Sequence, residues 1–292
     1  MKNTICSLAD SHLKQITLLK VICILYYVIG ILILLISFFS KTITNWSLHG
    51  KNMFIKLEQD EEKYSCMIHR LKKWFDDIII SKKYFSHFYF VGLIINSAIL
   101  LQDINEASRN NYNAYEHISK TNIMFEIHLL RRLLEQIFVV KTTSKSFMHI
   151  LSYCLGVSFY LVTPFSLHNK NIHKITVLKL LSIILFIIGN LIQYDSHVRL
   201  AKLRSKALKN NESPYKVPYG GLFDFVSCPH YFSEILIYFS FFLSNLDIIC
   251  LLNCLMVLLI LIKNGIQTHR WYLKTMQDTY PKQRRIIFPF LF

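Results

Sequence analysis

The stretch VICILYYVIGILILLISFFS, residues 21–40, carries no charged side chain between Lys20 and Lys41. At about 1.5 Å of rise per residue, a helix of this length reaches across the roughly 30 Å hydrocarbon core of a bilayer. The h-region of a signal peptide is shorter, and Phe38-Phe39-Ser40-Lys41 lacks the small residues of a cleavage site. The stretch therefore reads as a retained transmembrane helix, and the rest of the chain repeats its signal. Of 292 residues, 53% are hydrophobic and 17% charged, with 22 Phe and 16 Tyr but only 8 Gly and 6 Pro. That is more apolar side chain than one water-facing core of this size hides, and too few turn-formers for a β-sandwich. Working outward, further apolar segments run over Tyr84–Gln102, Thr121–Val140, Ser146–Leu167, Ile175–Tyr194 and Ile235–Ile262. The last is too long for one span, and Ser244-Asn245-Leu246-Asp247 divides it into a hairpin.

The expectation is an all-α integral membrane protein. It is a multi-span bundle of about seven transmembrane helices, six if the divided stretch is one tilted helix, with no Rossmann domain. Residues 1–83 read as an N-terminal span plus a variable charged loop, with Lys41–Lys83 a mixed-charge connection. Residues 84–292 read as a membrane-embedded domain. An odd helix count puts the two termini on opposite sides.

Net charge is +15, from 33 Lys+Arg against 18 Asp+Glu. In a membrane protein such an excess marks cytoplasmic segments rather than a nucleic-acid partner. It is concentrated in residues 197–217, read as a loop, and in the tail with Arg270, Lys274, Lys282, Arg284 and Arg285; both are expected to face the cytoplasm. The seven cysteines form no C-x-x-C, so neither a disulfide framework nor a metal site is expected.

Two regions carry candidate chemistry. The segment Thr121–Val140 is interrupted by Glu126, His128, Arg131, Arg132 and Glu135. Arg131 with Glu135, and His128 with Arg132, stand four apart on shared helix faces. Charges inside a span are costly unless they face a cavity or one another, so this helix either ends at the interface with snorkelling arginines or lines a polar cavity. In the C-terminal third, Gly220-Gly221 allows a positive-φ turn or a close backbone approach. Ser227, His230, Tyr231 and Glu234 follow at helical spacing, with His230 and Glu234 on one face. Asn264, His269 and Tyr272 come after the last apolar run, and a His and a Tyr three apart are candidate ligand contacts or proton donors. No G-x-G-x-x-G after a strand, G-x-x-x-x-G-K-[ST], H-E-x-x-H or G-x-S-x-G is present.

Taken together, these residues resemble a known family. Pro218-Tyr219-Gly220-Gly221-Leu222-Phe223, Val226-Ser227-Cys228-Pro229-His230-Tyr231 with Glu234-Ile235, Leu203-Arg204, His269-Arg270-Trp271-Tyr272, and Tyr280 through Phe292 are similar to the C-terminal signature of the steroid 5α-reductases. Lys82 through Tyr89 and His128-Leu129-Leu130-Arg131-Arg132-Leu133-Leu134-Glu135 resemble its polyprenol (polyprenal) reductase branch. The likeness covers about residues 80–292 and is densest in the last hundred. It implies an NADPH-dependent reductase of the endoplasmic reticulum membrane with a seven-helix fold. The cofactor would be held by about residues 190–292 and the C-terminus would be cytoplasmic. Carried over, Arg132 and Arg204 would contact the cofactor phosphates, and Gly220, Gly221 and Phe223 would lie on the loop covering it. His230, Tyr231 and Glu234 would contact its nicotinamide-ribose side. Asn264, His269 and Tyr272 would close the pocket, the last two being the catalytic candidates. Steroid-reducing members carry a tyrosine beside the histidine matching His128; here that residue is Leu129, which argues against a steroid. An isolated alkene does not accept hydride, but the β-carbon of an enal does, because charge spreads onto oxygen and a hydrogen-bond donor can stabilise it. The resemblance thus points to a polyisoprenoid aldehyde, reduced on the way to dolichol for protein N-glycosylation. A steroid-type enone reductase, a membrane methyltransferase using S-adenosylmethionine, and a transporter or lipid-binding scaffold are the alternatives.

Overall fold

The computed structural model describes residues 2–40, 49–50, 78–142, 146–169, 176–210, 212–213 and 215–291, with side chains in the first helix described from residue 18 onward. Seven helices longer than one turn are present among them. They are α1 (Lys2–Phe39), α2 (Phe85–Arg109), α3 (Lys120–Leu134), α4 (Ile150–Leu167), α5 (Val177–Lys209), α6 (Pro229–Asn245) and α7 (Ile248–Thr275). Five segments are long and apolar enough to cross a bilayer: 18–39, 82–109 and helices α4, α5 and α7. The chain is thus an all-α, multi-span membrane protein. Most of the mixed-charge connection expected over 41–83 lies outside the described residues.

The hairpin reading of Ile235–Ile262 holds, and its turn is built from local chemistry. Leu246 takes a left-handed conformation (φ 51°) with its N–H returning to Phe242 O, and Asp247 caps α7 by accepting from Ile249 N at 2.6 Å. At the other end Pro229 occupies the first turn of α6, where its missing N–H costs nothing. Ser227 precedes that helix, so it is not on the helical face with His230 and Glu234 that spacing suggested. Residues 197–209 are also corrected: they are not loop but the last turns of α5, which at about 50 Å outruns the bilayer core. The third segment is split too, its α-helix ending at Leu134 and Glu135–Val139 continuing as a π-turn.

Packing brings the helices into one bundle. α5 and α6 lie along each other, with α2 against α3 and α4, and α7 against α1 and α6. Gly189 makes the α5–α6 approach possible, since a Cβ there would stand 2.8 Å from Ile237 Cγ1 and 3.0 Å from Ser233 O. An aromatic layer fills the middle: Phe88, Tyr89, Phe125, Phe159, Tyr160, Tyr238 and Phe241 are all buried. A small antiparallel sheet, order β1-β3-β2, joins His49–Gly50 (β1), Ile79–Ser81 (β2) and Phe147–His149 (β3).

The two ends of the bundle differ in charge. Lys20 of α1, His168 after α4, Thr176 before α5 and Asp247 before α7 line one groove, so they share an end. The other end carries Ser37 of α1 against Lys263 of α7, the 3₁₀ turn at Lys82–Tyr84, the basic end of α5 and the tail.

Candidate functional site

Helices α3, α5 and α6 assemble the site because each carries polar residues one turn apart on its inner face: His128, Arg131, Arg132 and Glu135; Asn190, Gln193 and His197; His230 and Glu234. Arg131 pairs with Glu135, donates to Gln193 Oε1, and through Nε donates to Asn190 Oδ1 at 2.7 Å. Arg132 Nη1 donates to Glu135 Oε2 at 2.6 Å and Nη2 to the Tyr89 hydroxyl at 2.7 Å, with the guanidinium 4.9 Å above the Tyr89 ring. Glu135, 2% exposed, also lies 2.7 Å from His197 Nδ1. Glu234 accepts from Gln193 Nε2 and stands 3.5 Å from His128 Nε2. His128 Nδ1 lies 3.3 Å from Arg131 Nη2, so that nitrogen accepts and the proton sits on Nε2, facing Glu234. Of the two sequence alternatives for this helix, the inward-facing one is found.

Two buried atoms of this cluster have no hydrogen-bond partner among the described residues, Arg132 Nε and His230 Nδ1, while His128 Nε2 has only the Glu234 carboxylate at 3.5 Å. Unpaired polar atoms in an apolar interior carry a desolvation cost, and a ligand that supplies partners removes it. The His230 ring is flanked by Tyr231 (4.4 Å between centroids), His197 (5.9 Å) and Phe223 (6.4 Å). Arg204 donates to Lys141 O at 2.9 Å and lies near Lys82 and His230. Arginines beside unpaired histidine and guanidinium atoms fit an anionic cofactor with hydrogen-bonding groups.

The remaining sequence candidates are dispersed around this cluster. Gly220 and Gly221 both take positive φ (86° and 57°), as adjacent glycines were expected to allow. Their close neighbour is the Arg199–Asp195 ion pair of α5: a Cβ on Gly220 would fall 2.4 Å from Arg199 Nη1, and one on Gly221 2.9 Å from Asp195 Oδ2. Phe223 is buried on the 3₁₀ turn that follows. Tyr231 interacts with Thr268 of α7, and Asn264 lies half-buried one turn before Thr268. His269 and Tyr272 belong to a separate group. His269 Nδ1 is 2.6 Å from Ser227 Oγ and 3.3 Å from the Tyr280 hydroxyl, and Tyr272 stacks on Tyr280 with rings nearly parallel. The tail is held by Ser227 N donating to Arg285 O, Arg285 N to Phe225 O, and Cys228 N to Ile286 O. Arg284, 4% exposed, lies over the Tyr219 and Tyr280 rings. Burial pushes the Tyr280 phenol up from its ordinary value, and its bond to Ser227 and the Arg284 charge act the other way.

Tyr89, Gln193 and His197 were missed by sequence reading. Asn190, Gln193 and His197 recur at i, i+3 and i+7 in an apolar helix, a signal that was there to be used. No group of three or more His, Cys, Asp or Glu that could hold a metal occurs among the described residues. The described thiols at Cys23, Cys228, Cys250 and Cys254 are buried and outside any disulfide, and Cys154 is exposed.

Residues 135–292 match the family model described as 3-oxo-5-alpha-steroid 4-dehydrogenase. The chain is 32% identical over 256 residues to a polyprenal reductase of Xenopus tropicalis, covering 75% of this chain and 82% of that one. It is 30% identical over 237 residues to a polyprenal reductase of Saccharomyces cerevisiae (80% and 81% covered) and 28% over 264 residues to polyprenal reductase 1 of Arabidopsis thaliana (73% and 82%).

Proposed function

The chain belongs to the 3-oxo-5-alpha-steroid 4-dehydrogenase family, and on that premise we propose that it reduces the α-isoprene double bond of a polyprenal with NADPH. The product is the saturated aldehyde, a precursor of dolichol and so of the lipid carrier for protein N-glycosylation. The observation that carries this reading is the buried cluster of Arg132, His128 and His230, in which Arg132 Nε and His230 Nδ1 are unpaired among the described residues, placed between a basic end and an aromatic interior. Such a junction suits a reaction between a water-borne anionic cofactor and a lipid aldehyde.

In this reading the cofactor supplies a hydride when bound. Arg132 and Arg204 hold its phosphates, Gly220, Gly221 and Phe223 shape the covering loop, and His230, Tyr231 and Glu234 orient the nicotinamide side. Glu135 fixes Arg132, and the Lys141 carbonyl accepts from Arg204, so their geometry is set before the cofactor arrives. Asn264, His269 and Tyr272 close the site through α7 and the tail. Residues 84–292 act as the reductase domain, and 190–292 contribute most of the cofactor contacts. Relatives named polyprenal reductase support the substrate, and burial of Leu129 in the apolar core supports the choice against a steroid enone.

The deciding experiment is NADPH oxidation by purified protein in detergent with a short-chain polyprenal, and identification of the product. Consumption of one NADPH per saturated aldehyde is expected. No turnover, together with thermal stabilisation by S-adenosylmethionine but not by NADPH, would replace the reading with a methyltransferase. We further place the protein in the endoplasmic reticulum membrane with the basic end cytoplasmic, because Lys and Arg crowd that end. A glycosylation acceptor engineered near Lys209 should remain unmodified in microsomes; its efficient glycosylation reverses the orientation.

A further inference from the structure

The helix face that presents Glu234 continues one turn deeper to Tyr238. Tyr238 is 2% exposed, and its hydroxyl makes no hydrogen bond within 3.5 Å among the described residues, with the Tyr160 phenol its looser neighbour. A phenol is seldom buried that way, since a phenylalanine would fill the same space without the desolvation cost. Its position is specific. The ring lies 6.4 Å from His128, edge-on, at the floor of the polar cluster, and 5.8 Å from Phe159 and 5.5 Å from Phe241 in the aromatic layer. On one side of it are polar atoms suited to a cofactor, and on the other the rings of the aromatic layer.

A second phenol stands beside it. Tyr160 of α4 packs 5.5 Å from Phe159 and 5.4 Å from Tyr89, and it interacts electrostatically with Tyr238. Tyr160 also borders Leu129: a Cβ on Gly92 would stand 3.0 Å from Tyr160 Cδ1 and 3.2 Å from Leu129 Cδ2. Tyr89 is held in the arginine network instead, its oxygen accepting from Arg132.

We propose that Tyr238 donates the hydrogen bond that polarises the aldehyde oxygen of the substrate, and that Tyr160 is the neighbouring phenol through which its proton is replaced. The proposal rests on the enal-reducing reading above. The balance is simple. A hydride forms the new C–H bond at the β-carbon, the alkene π pair moves between the α-carbon and the carbonyl carbon, and the carbonyl π pair moves onto oxygen. Oxygen takes the Tyr238 proton, and the resulting tyrosinate regains one from water by way of Tyr160. The enol then becomes the saturated aldehyde, so the sum is enal + NADPH + H⁺ giving saturated aldehyde + NADP⁺. A hydrogen-bond donor aimed at developing oxyanion charge in a dry site contributes on the order of a hundredfold or more in rate.

The test uses the full-length protein in detergent and four forms: wild type, Tyr238→Phe, Tyr160→Phe and the double variant. Turnover of a short-chain polyprenal is measured beside the thermal shift by NADPH. The carbonyl stretch of ¹³C-labelled aldehyde bound without cofactor is read by infrared difference spectroscopy. Tyr238→Phe should keep the NADPH shift, lower kcat by about a hundredfold, and move the bound carbonyl stretch to higher frequency. Tyr160→Phe should leave the carbonyl frequency unchanged, lower kcat less, and add little to the loss in the double variant. An active wild type with Tyr238→Phe unchanged in kcat and carbonyl frequency overturns the proposal while leaving the enal reading intact. A wild type that binds NADPH yet never reduces the aldehyde defeats the enal reading itself. Should Tyr238→Phe fail to fold, Tyr238→Leu removes the phenol without adding a donor or volume, and an unshifted carbonyl frequency there overturns the assignment.

Discussion

Two buried polar clusters sit at opposite ends of the same helices, and they differ in what they leave over. At the less basic end, Asn96 Nδ2 donates to Asn122 O and Glu126 Oε2, and Asn122 Nδ2 donates to Asn96 Oδ1 and Pro164 O. Asp103 accepts from Ser119 N and lies 3.0 Å from His168 Nε2, while Thr121 donates to Asn245, which donates to Leu167 O. That cluster ties α2, α3, α4 and α6 to one another, and of its amides only an acceptor, Asn122 Oδ1, goes unpaired. The cluster around Arg132 holds α3, α5 and α6 with a similar outlay of polar groups, but among the described residues it leaves a guanidinium N–H and the Nδ1 of His230 without partners. In an apolar interior, donors that find protein partners act as glue, and donors that find none await a ligand.

The largest effect expected from this contrast is at Glu234. Glu234→Gln preserves shape and the contact to Gln193 but removes the charge facing His128 Nε2. It should lower turnover about a hundredfold with folded yield near normal. Measured as NADPH consumption per mole of folded protein, near-wild-type turnover would make this cluster glue as well. The counterpart at the other end is Asn96→Ala. It removes donors to Asn122 O and Glu126, at a cost of about 1 kcal/mol in stability, and should leave turnover per folded molecule unchanged. A lower thermal midpoint with normal kcat sharpens the comparison, whereas a lost kcat at normal stability erases it.

Much of the bundle was legible because hydrophobic runs, uncharged over the width of a bilayer, admit few alternatives. The hairpin was legible from Ser244-Asn245-Leu246-Asp247 because turn-formers interrupt an apolar run. Residues 197–209 were not, because charge density says which side a segment faces but not whether the helix stops; Arg199 with Asp195 one turn earlier was the available sign that it continues. For the site, Arg131, Arg132 and Glu135 stood out because charges are rare in spans. Tyr89 and Tyr238 did not, since a tyrosine in an aromatic-rich chain of this kind has no marked pattern until its hydroxyl is placed. The division between the two clusters was likewise out of reach: Glu126 and Glu135 read alike in the sequence, and only the partners across helices tell them apart.

Leu129→Tyr probes the boundary between the cluster and the aromatic layer. Leu129 is fully buried against Tyr160 across Gly92. The larger ring overpacks that space and should cost about 1–3 kcal/mol, with no gain in polyprenal turnover. Wild-type protein that reduces a 3-oxo-4-ene steroid as fast as a polyprenal would show that Leu129 does not set substrate choice.

The smallest effect expected, and the one that separates the tail from both clusters, is at His269. Its Nδ1 meets Ser227 Oγ at 2.6 Å, Ser227 in turn holds Arg285 O, and the Tyr280 hydroxyl closes the group. These contacts fasten the segment before α6 to the C-terminal tail, which makes His269 a clasp between α7, that segment and the tail. His269→Phe removes one hydrogen bond, worth about 1 kcal/mol and close to fivefold in the population of the fastened form. The expected readout is a KM for NADPH raised by a similar factor, a smaller NADPH thermal shift, and kcat nearly unchanged. His269→Gln, which can still bond Ser227, should recover part of the loss. The opposite pattern, a kcat lower by about a hundredfold with the NADPH shift intact, is what a proton donor gives. That result would return His269 to the reaction itself and remove the need for Tyr238.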